Sequence, residues 1–437
     1  MASSKVTSLA GNFGRLWRRG NETLRNRRIF SVKGKGATNY LQALVTCDLT
    51  SPPIPPKEEL EPDPAVPQQQ QEEEEHPMVE FSEKLRSTCF LDNKGRILTD
   101  SLLWKIDDTE YLIDIPDNDS ADQLMGHLKQ FILRRSKVKV VDKSDEISAH
   151  VVFGTMNAAA SPQGFLAGMD PRHPSLGMRV LSLDAEKAKQ FEDSMSSNFP
   201  NAPGNYQLVR KLAGVAEGTE LLGKVAGESN QEFLNAVSFA KGCYLGQELT
   251  ARVQYTGAIR KRILPLFLTD LNMEIPRPWL MASQVQLGKT PEGVEVGSAS
   301  ASMLPRLPRL SAAAAGGVVG IMSGDMVQEQ TPETEELRKQ SEALFQEVQN
   351  YKKGDKIYDV KDGKTIGQIV AGAEEGTNVL LAQMRLDRAG LLGDGVWSHT
   401  NKIRIGDHDN QLRYLPYLPL WWPVIDRKSG KAATEDF

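Results

Sequence analysis

The stretch that decides how this chain is read is Ala236–Arg252, AVSFAKGCYLGQELTAR, continued by GAIRKRILP from Gly257 to Pro265. It sets Cys243 between Gly242 and an aromatic, Tyr244, and follows it with Gly246, Gln247 and Glu248. Two glycines supply backbone freedom at positive φ, so the spacing predicts a thiol on an exposed tight turn. Helical spacing from Gln247 places Glu248 and Arg252 one turn apart, where they can pair. Lys241 and the positive end of such a helix would favour thiolate over thiol, the form that attacks electrophiles and binds metals. A lone cysteine at a turn is also a common packing residue, and these residues alone leave both readings open.

Working outward, RIFSVKGKGATNYLQALVTCDL (28–49) opens with a strand at Arg28–Val32, a glycine turn at Gly34 and Gly36, and a helix over Ala37–Leu44. CFLDNKGRILTDSLLWKI (89–106) and EYLIDI (110–115) alternate as paired strands, and Ala121–Leu133 has helical spacing. From Lys261 the texture becomes short strands such as ILPLFL, KIYDV and TIGQIV, which predicts a C-terminal β-barrel or sandwich.

Two segments interrupt this pattern. Ser51–Pro77 carries eight acids, eight prolines and the tracts QQQQ and EEEE, and lacks the apolar surface needed to order it. A second insert, 299–350, begins in low complexity and ends in an amphipathic helix starting near Thr331, with Leu337, Leu344, Phe345 and Val348 on one face. The expected division is a basic leader over 1–24, an N-terminal α/β domain over 25–150, a middle α/β domain over 151–260, and a C-terminal β-barrel domain over 261–437.

Charge and length exclude several function classes. The net charge is −5, and the 51–77 segment alone contributes −7, so the remainder is near neutral at about +2. Nucleic acid is therefore not the expected partner, because phosphate binding relies on concentrated Lys and Arg. No apolar run reaches the ~20 residues that span a bilayer. Three dispersed cysteines, Cys47, Cys89 and Cys243, make neither a disulfide framework nor a complete metal site. The first 28 residues hold seven basic side chains and one acid, the composition of a mitochondrial transit peptide.

Read together, AVSFAKGCYLGQELTAR, RIFSVKGKGATNYLQALVTCDL, LDNKGRILTDSLL (91–103), DPRHPSLGMR (170–179), YQLVRKLAGVAEG (206–218), DGKTIGQIV (362–370) and NVLLAQMR (378–385) resemble the motifs of the YgfZ-type family. The resemblance covers roughly 28–50, 85–260 and 350–390. It implies an α+β, three-domain, ring-like fold shared with the glycine-cleavage aminomethyltransferases (T-proteins), ending in a β-barrel. It also implies a mitochondrial-matrix factor that assists maturation of [4Fe–4S] proteins. In that reading Cys243 contacts a transient [2Fe–2S] or [4Fe–4S] cluster shared with an A-type scaffold partner, supported by Lys241, Gly242, Tyr244, Gly246, Gln247, Glu248 and Arg252.

The alternative is a tetrahydrofolate-dependent aminomethyl transferase with Asp48 or Asp100 facing the cofactor. The run GRILTDS offers a single Asp100 where those enzymes carry paired acids, so the expectation is a non-enzymatic factor with at most a weakly held folate. A scaffold that has lost both activities is the third reading. Two departures stand out from the family pattern. Ala226 and Gly227 replace a Pro-containing segment and should loosen the loop before the cysteine. Gln254 and Tyr255 stand where histidine is usual, which removes an auxiliary ligand.

Overall fold

The computed structural model describes residues 20–51, 82–153, 164–173, 176–198, 204–270, 347–374, 378–389, 403–406, 412–419 and parts of 422–432. The expected leader (beyond its last residues), the acidic insert and all but the end of the 299–350 insert lie outside these residues. Of the helix expected near Thr331, Val348 is described, and it is buried in the C-terminal core.

The chain begins with β1 (Gly20–Thr23) and β2 (Arg27–Lys33), followed by α1 (Ala37–Gln42), β3 (Leu85–Leu91), β4 (Ile97–Asp107), β5 (Glu110–Pro116) and α2 (Asp119–Gln130). It continues through β6 (Lys139–Asp142), β7 (Ser148–Phe153), β8 (Phe165–Met169), β9 (Met178–Ser182), α3 (Ala185–Asn198), α4 (Asn205–Leu212) and α5 (Gln247–Tyr255). The C-terminal strands are β10 (Lys261–Asp270), β11 (Lys356–Asp359), β12 (Thr365–Ala371), β13 (Val379–Arg385), β14 (Ile403–Ile405) and β15 (Leu412–Pro416).

These strands form three antiparallel sheets, ordered β3-β4-β5-β2-β6, β1-β7-β9-β8 and β14-β11-β12-β13-β10-β15. The class is α+β, and the six-stranded C-terminal sheet is nearly closed into a barrel. No described helix is long and apolar enough to cross a membrane.

Strand β2 shows why the first sheet sits centrally. Phe30 and Val32 pack under α1 and α2 with Tyr40, Leu41 and Leu124, while Ile29 enters a second core with Trp104, Val151, Tyr206 and Val209. Alternate side chains therefore bury on both faces, and each fully buried one contributes roughly 1.5–3 kcal/mol. Helix α2 begins earlier than its apolar spacing alone indicates, because the Asn118 side chain accepts from Ser120 N and caps it.

The three sheets meet through shared cores. Cys89, Leu91 and Ile97 of the first sheet pack with Ile263, Val370 and Leu381 of the third. Leu208 and Leu212 on α4 pack on Phe267 and Leu415, which joins α4 to the third sheet as well. Strand β1 pairs with β7, so residues 20–23, expected within the leader, belong to the second sheet. Its residues read as solvated because only long-range pairing, invisible in the local pattern, makes them a strand.

Candidate functional site

Three segments separated by up to about two hundred residues build the Cys243 loop. Ser238 N donates to Thr46 O at 3.0 Å and Leu245 N to Ala43 O at 2.9 Å, which stitches the loop to the end of α1. Below it, Lys241 Nζ donates to the carbonyls of Gln42, Val45 and Cys47 at 2.8, 2.7 and 2.8 Å. The same ammonium lies 4.8 Å from the centre of the Tyr244 ring. Gln247 closes the turn, its Oε1 accepting from Tyr244 N at 2.8 Å.

Gly246 sits at φ 78° as the residue before α5. A Cβ there would lie 2.5 Å from Asp92 O and 3.0 Å from Gly95 Cα, so this glycine admits the β3–β4 turn against the loop. Burial pushes the Tyr244 hydroxyl up to about 12.

Cys243 is exposed, whereas Cys47 and Cys89 are buried. Burial pushes both inner thiols up, and Cys89 Sγ is hydrogen-bonded to Gln231 Oε1 at 3.1 Å. A thiol that resists ionisation is a poor ligand and nucleophile, so Cys243 is the accessible one. Among the described residues no group of three or more His, Cys, Asp or Glu side chains could hold a metal ion.

Several sequence expectations change. Gly242 is not among the residues at positive φ, and nothing lies within 4 Å of a Cβ placed on it, so only Gly246 uses glycine's freedom. Lys241 is spent on the carbonyls under the loop, and the thiol its charge acts on is Cys47, which makes it an anchor of the turn. Glu248 and Arg252 form no ion pair with each other among the described residues, so the helix start is held by Gln247 and Gly246 instead.

Ala226 is buried and Arg262 Nη1 donates to Gly227 O at 2.9 Å. A Cβ on Gly227 would meet Ile259 Cδ1 at 2.9 Å, so this stretch is packed and not loosened. Gln254 and Tyr255 lie at the far end of α5, about 10–12 Å along the axis from Gln247 at about 1.5 Å per residue. Helix rise, which motif spacing does not reveal, keeps that position away from the loop that carries Cys243.

The two acids named as alternatives for a folate site, Asp48 and Asp100, are each held by other groups of the protein. Asp48 accepts from Gln42 Nε2, Thr50 N and Oγ1 and Ser51 Oγ at 2.6–2.9 Å. Burial opposes its charge, but these donors outweigh it and hold the carboxyl well below the usual range. Asp100 is buried elsewhere, its Oδ1 accepting from Gly218 N at 2.7 Å, and burial with the neighbouring Glu217 charge raises it to about 6. Each carboxylate is thus engaged by donors of the protein itself.

Asp100 instead borders a buried charge cluster whose members sequence reading left without roles. Arg27 Nε contacts Asp114 Oδ1 at 2.6 Å, Arg172 Nη1 contacts Glu217 Oε1 at 2.5 Å, and Arg172 Nη2 contacts Asp170 Oδ2 at 2.7 Å. Tyr206 Oη receives from Arg172 and Arg179 at 2.7 Å each and donates to Glu217 Oε1 at 2.5 Å. The signal was present, since DPRHPSLGMR and YQLVRKLAGVAEG place charges inside otherwise apolar elements.

No protein-family model matches the chain. Curated relatives do match in sequence. It is 32% identical over 264 residues to the "Iron-sulfur cluster assembly factor IBA57 homolog, mitochondrial" of Pyricularia oryzae, covering 57% of this chain and 58% of that one. The protein of the same name from Aspergillus clavatus is 26% identical over 315 residues, 64% of this chain and 65% of that one. The chain thus spans a little over half the length of the first of these. Among solved structures, glycine cleavage system aminomethyltransferase T from Bartonella henselae superposes with a TM-score of 0.49 at 10% identity, covering 86% of this chain and 81% of that one. Over the matched stretch, this chain is similar in sequence to proteins named as mitochondrial iron–sulfur cluster assembly factor IBA57 homologs.

Proposed function

We propose that the chain is a mitochondrial-matrix iron–sulfur cluster assembly factor that assists maturation of [4Fe–4S] proteins, with Cys243 contacting a cluster shared with an A-type scaffold. The observation that carries this reading is the contrast among its thiols. Cys243 stands exposed on a loop anchored by Lys241, Gln247 and Gly246, while Cys47 and Cys89 are sealed in the core. The names of the relatives support the pathway and the compartment.

A [2Fe–2S] centre ordinarily takes four protein ligands, and one exposed thiol supplies one of them. The cluster is then cargo held jointly, with the remaining ligands on the scaffold. Folate-dependent aminomethyl transfer is the less favoured reading, since Asp48 is saturated by donors and Asp100 is turned into a buried arginine cluster.

The test is anaerobic mixing of the protein with a cluster-loaded A-type scaffold, followed by visible absorption and size. Wild type should form a coloured complex and Cys243→Ser should not, with the melting of the isolated variant unchanged. A coloured complex of equal yield from Cys243→Ser makes the cysteine structural and ends this reading.

A further inference from the structure

Beside Cys243 lies an open groove of about 820 Å³ between α1, the end of α2 and the turn at Arg134–Ser136. Its apolar floor includes Tyr40, Leu44, Phe131, Leu133 and Leu245. Leu133, between α2 and the Arg134–Ser136 turn, is 54% exposed and lies in the groove's lining. Arg135 lines the groove, and the exposed Lys35, Arg134 and Lys137 adjoin its lining residues Gly36, Leu133 and Ser136 along the chain, which gives it a cationic rim. Nearby Arg28 is paired with Asp122 and Asp142, but none of these four cations makes an ion pair with a described residue.

The rim is held in place by backbone. A Cβ on Gly34 would lie 2.0 Å from Lys137 O, and one on Gly36 would lie 2.6 Å from Ser136 O. The glycine turn carrying Lys35 therefore presses on the turn carrying Arg135 and Lys137, and Lys137 itself takes a left-handed φ of 51°. Holding four like charges together costs repulsion that an anionic occupant relieves.

We propose that this groove docks an acidic segment of the cluster-carrying partner, one in which apolar side chains interleave with carboxylates. Its apolar side lies on Leu44, Leu133 and Leu245, its carboxylates meet Lys35, Arg134, Arg135 and Lys137, and the cluster is thereby delivered to Cys243 at the groove's edge. The inference rests on the reading of Cys243 as the cluster contact. Docking itself needs no thiol, so the two can be separated. The near-neutral charge of the chain outside residues 51–77 favours a polypeptide over nucleic acid.

The probe is a cluster-free A-type scaffold carrying a fluorophore, titrated with wild type, Arg134→Glu/Arg135→Glu, Leu133→Asp and Cys243→Ser. Melting curves establish that each variant folds. Wild type should bind, and should weaken several-fold between about 50 and about 200 mM salt, because exposed charges are screened over that range. The double charge reversal should lose at least about tenfold in affinity together with the salt dependence, and Leu133→Asp should lose a similar factor. Cys243→Ser should bind the cluster-free scaffold as wild type does.

Absence of wild-type binding, or equal affinity and salt dependence in the charge-reversed protein, overturns the proposal. So does a crosslink from Leu133→Cys into residues 52–77 of the same chain or into a second copy, which would assign the groove another occupant. If charge reversal abolishes docking while Cys243→Ser still forms the coloured complex, docking stands and the cysteine reading falls. If the charge-reversed protein still docks while Cys243→Ser loses the coloured complex, the groove proposal falls and the cysteine reading stands.

Discussion

The ammonium of Lys241 sits 2.7 Å from the backbone oxygen of Val45, with the Gln42 and Cys47 oxygens at 2.8 Å. A side chain two residues before the exposed thiol thus satisfies the last carbonyl of α1, on Gln42, and two carbonyls of the segment that follows it, on Val45 and Cys47. The cysteine loop and the TCDL segment are one structural unit.

Lys241→Met should therefore loosen the loop more than it changes the thiol. Removing hydrogen bonds from a charged donor costs on the order of 1.5–3 kcal/mol here, and amide exchange should accelerate across residues 238–246. Unchanged exchange in that window would show that the loop is held by its backbone contacts alone.

Burial pulls the Lys241 ammonium from its ordinary 10.5 down to about 8. Between these values the unfolded chain binds the proton and the folded one does not, so this residue makes stability rise with pH from about 8 to about 10.5. Denaturant titrations of wild type against Lys241→Met should show that rise only in wild type. Parallel curves for the two would contradict it.

Gly246 and Gly242 should answer differently to alanine. At Gly246 the φ of 78° and a Cβ 2.5 Å from Asp92 O force backbone movement, at a cost of roughly 1–3 kcal/mol or more. Gly242→Ala meets nothing within 4 Å and should stay within about 0.5 kcal/mol. Thermal melts of the pair decide it, and equal losses would refute the packing assigned to Gly246.

Thiol counting offers a direct check on access. A chromogenic disulfide should modify one cysteine per native chain quickly, Cys243, and the buried Cys47 and Cys89 only after unfolding. Two fast thiols in the native protein, or none, would place the loop wrongly.

In the buried cluster, burial would raise Glu217, but Arg172, Arg27 and Arg210 overcome it and hold the carboxylate below its usual range. Asp100, raised to about 6, takes a proton in the folded state before the unfolded one does at its ordinary 3.8. Its contribution therefore declines as pH rises from about 4 to about 6, and Asp100→Asn should flatten that window with modest loss of stability. Glu217→Gln should cost about 3–5 kcal/mol, because it strands buried guanidiniums. Chemical denaturation across pH tests both, and a benign Glu217→Gln would mean the arginines find other partners.

Much was legible locally. Strand β2, the paired strands β3 to β5, and the start of α5 at Gln247 follow from period-two alternation, turn residues and a glycine before a helix. The exposed turn at Cys243 was legible too, from the glycine three residues on that takes a φ of 78° before α5. Local residues did not reveal β1, whose partners on β7 lie more than a hundred positions away.

The α+β class followed from the resemblance of the motifs to the YgfZ-type family, while the residues themselves determined where strands and helices alternate and which segment can present a thiol. Those depend on periodicity and backbone preference, which neighbouring residues set. Only the tertiary structure decided what the charges do. Lys241 became an anchor on the carbonyls of Gln42, Val45 and Cys47, Asp48 was engaged by Gln42, Thr50 and Ser51, and Asp100 was drawn to Arg172. A charged group's role is fixed by whichever opposite charge or carbonyl lies within a few ångströms, and that distance is set by packing between sheets far apart in the chain.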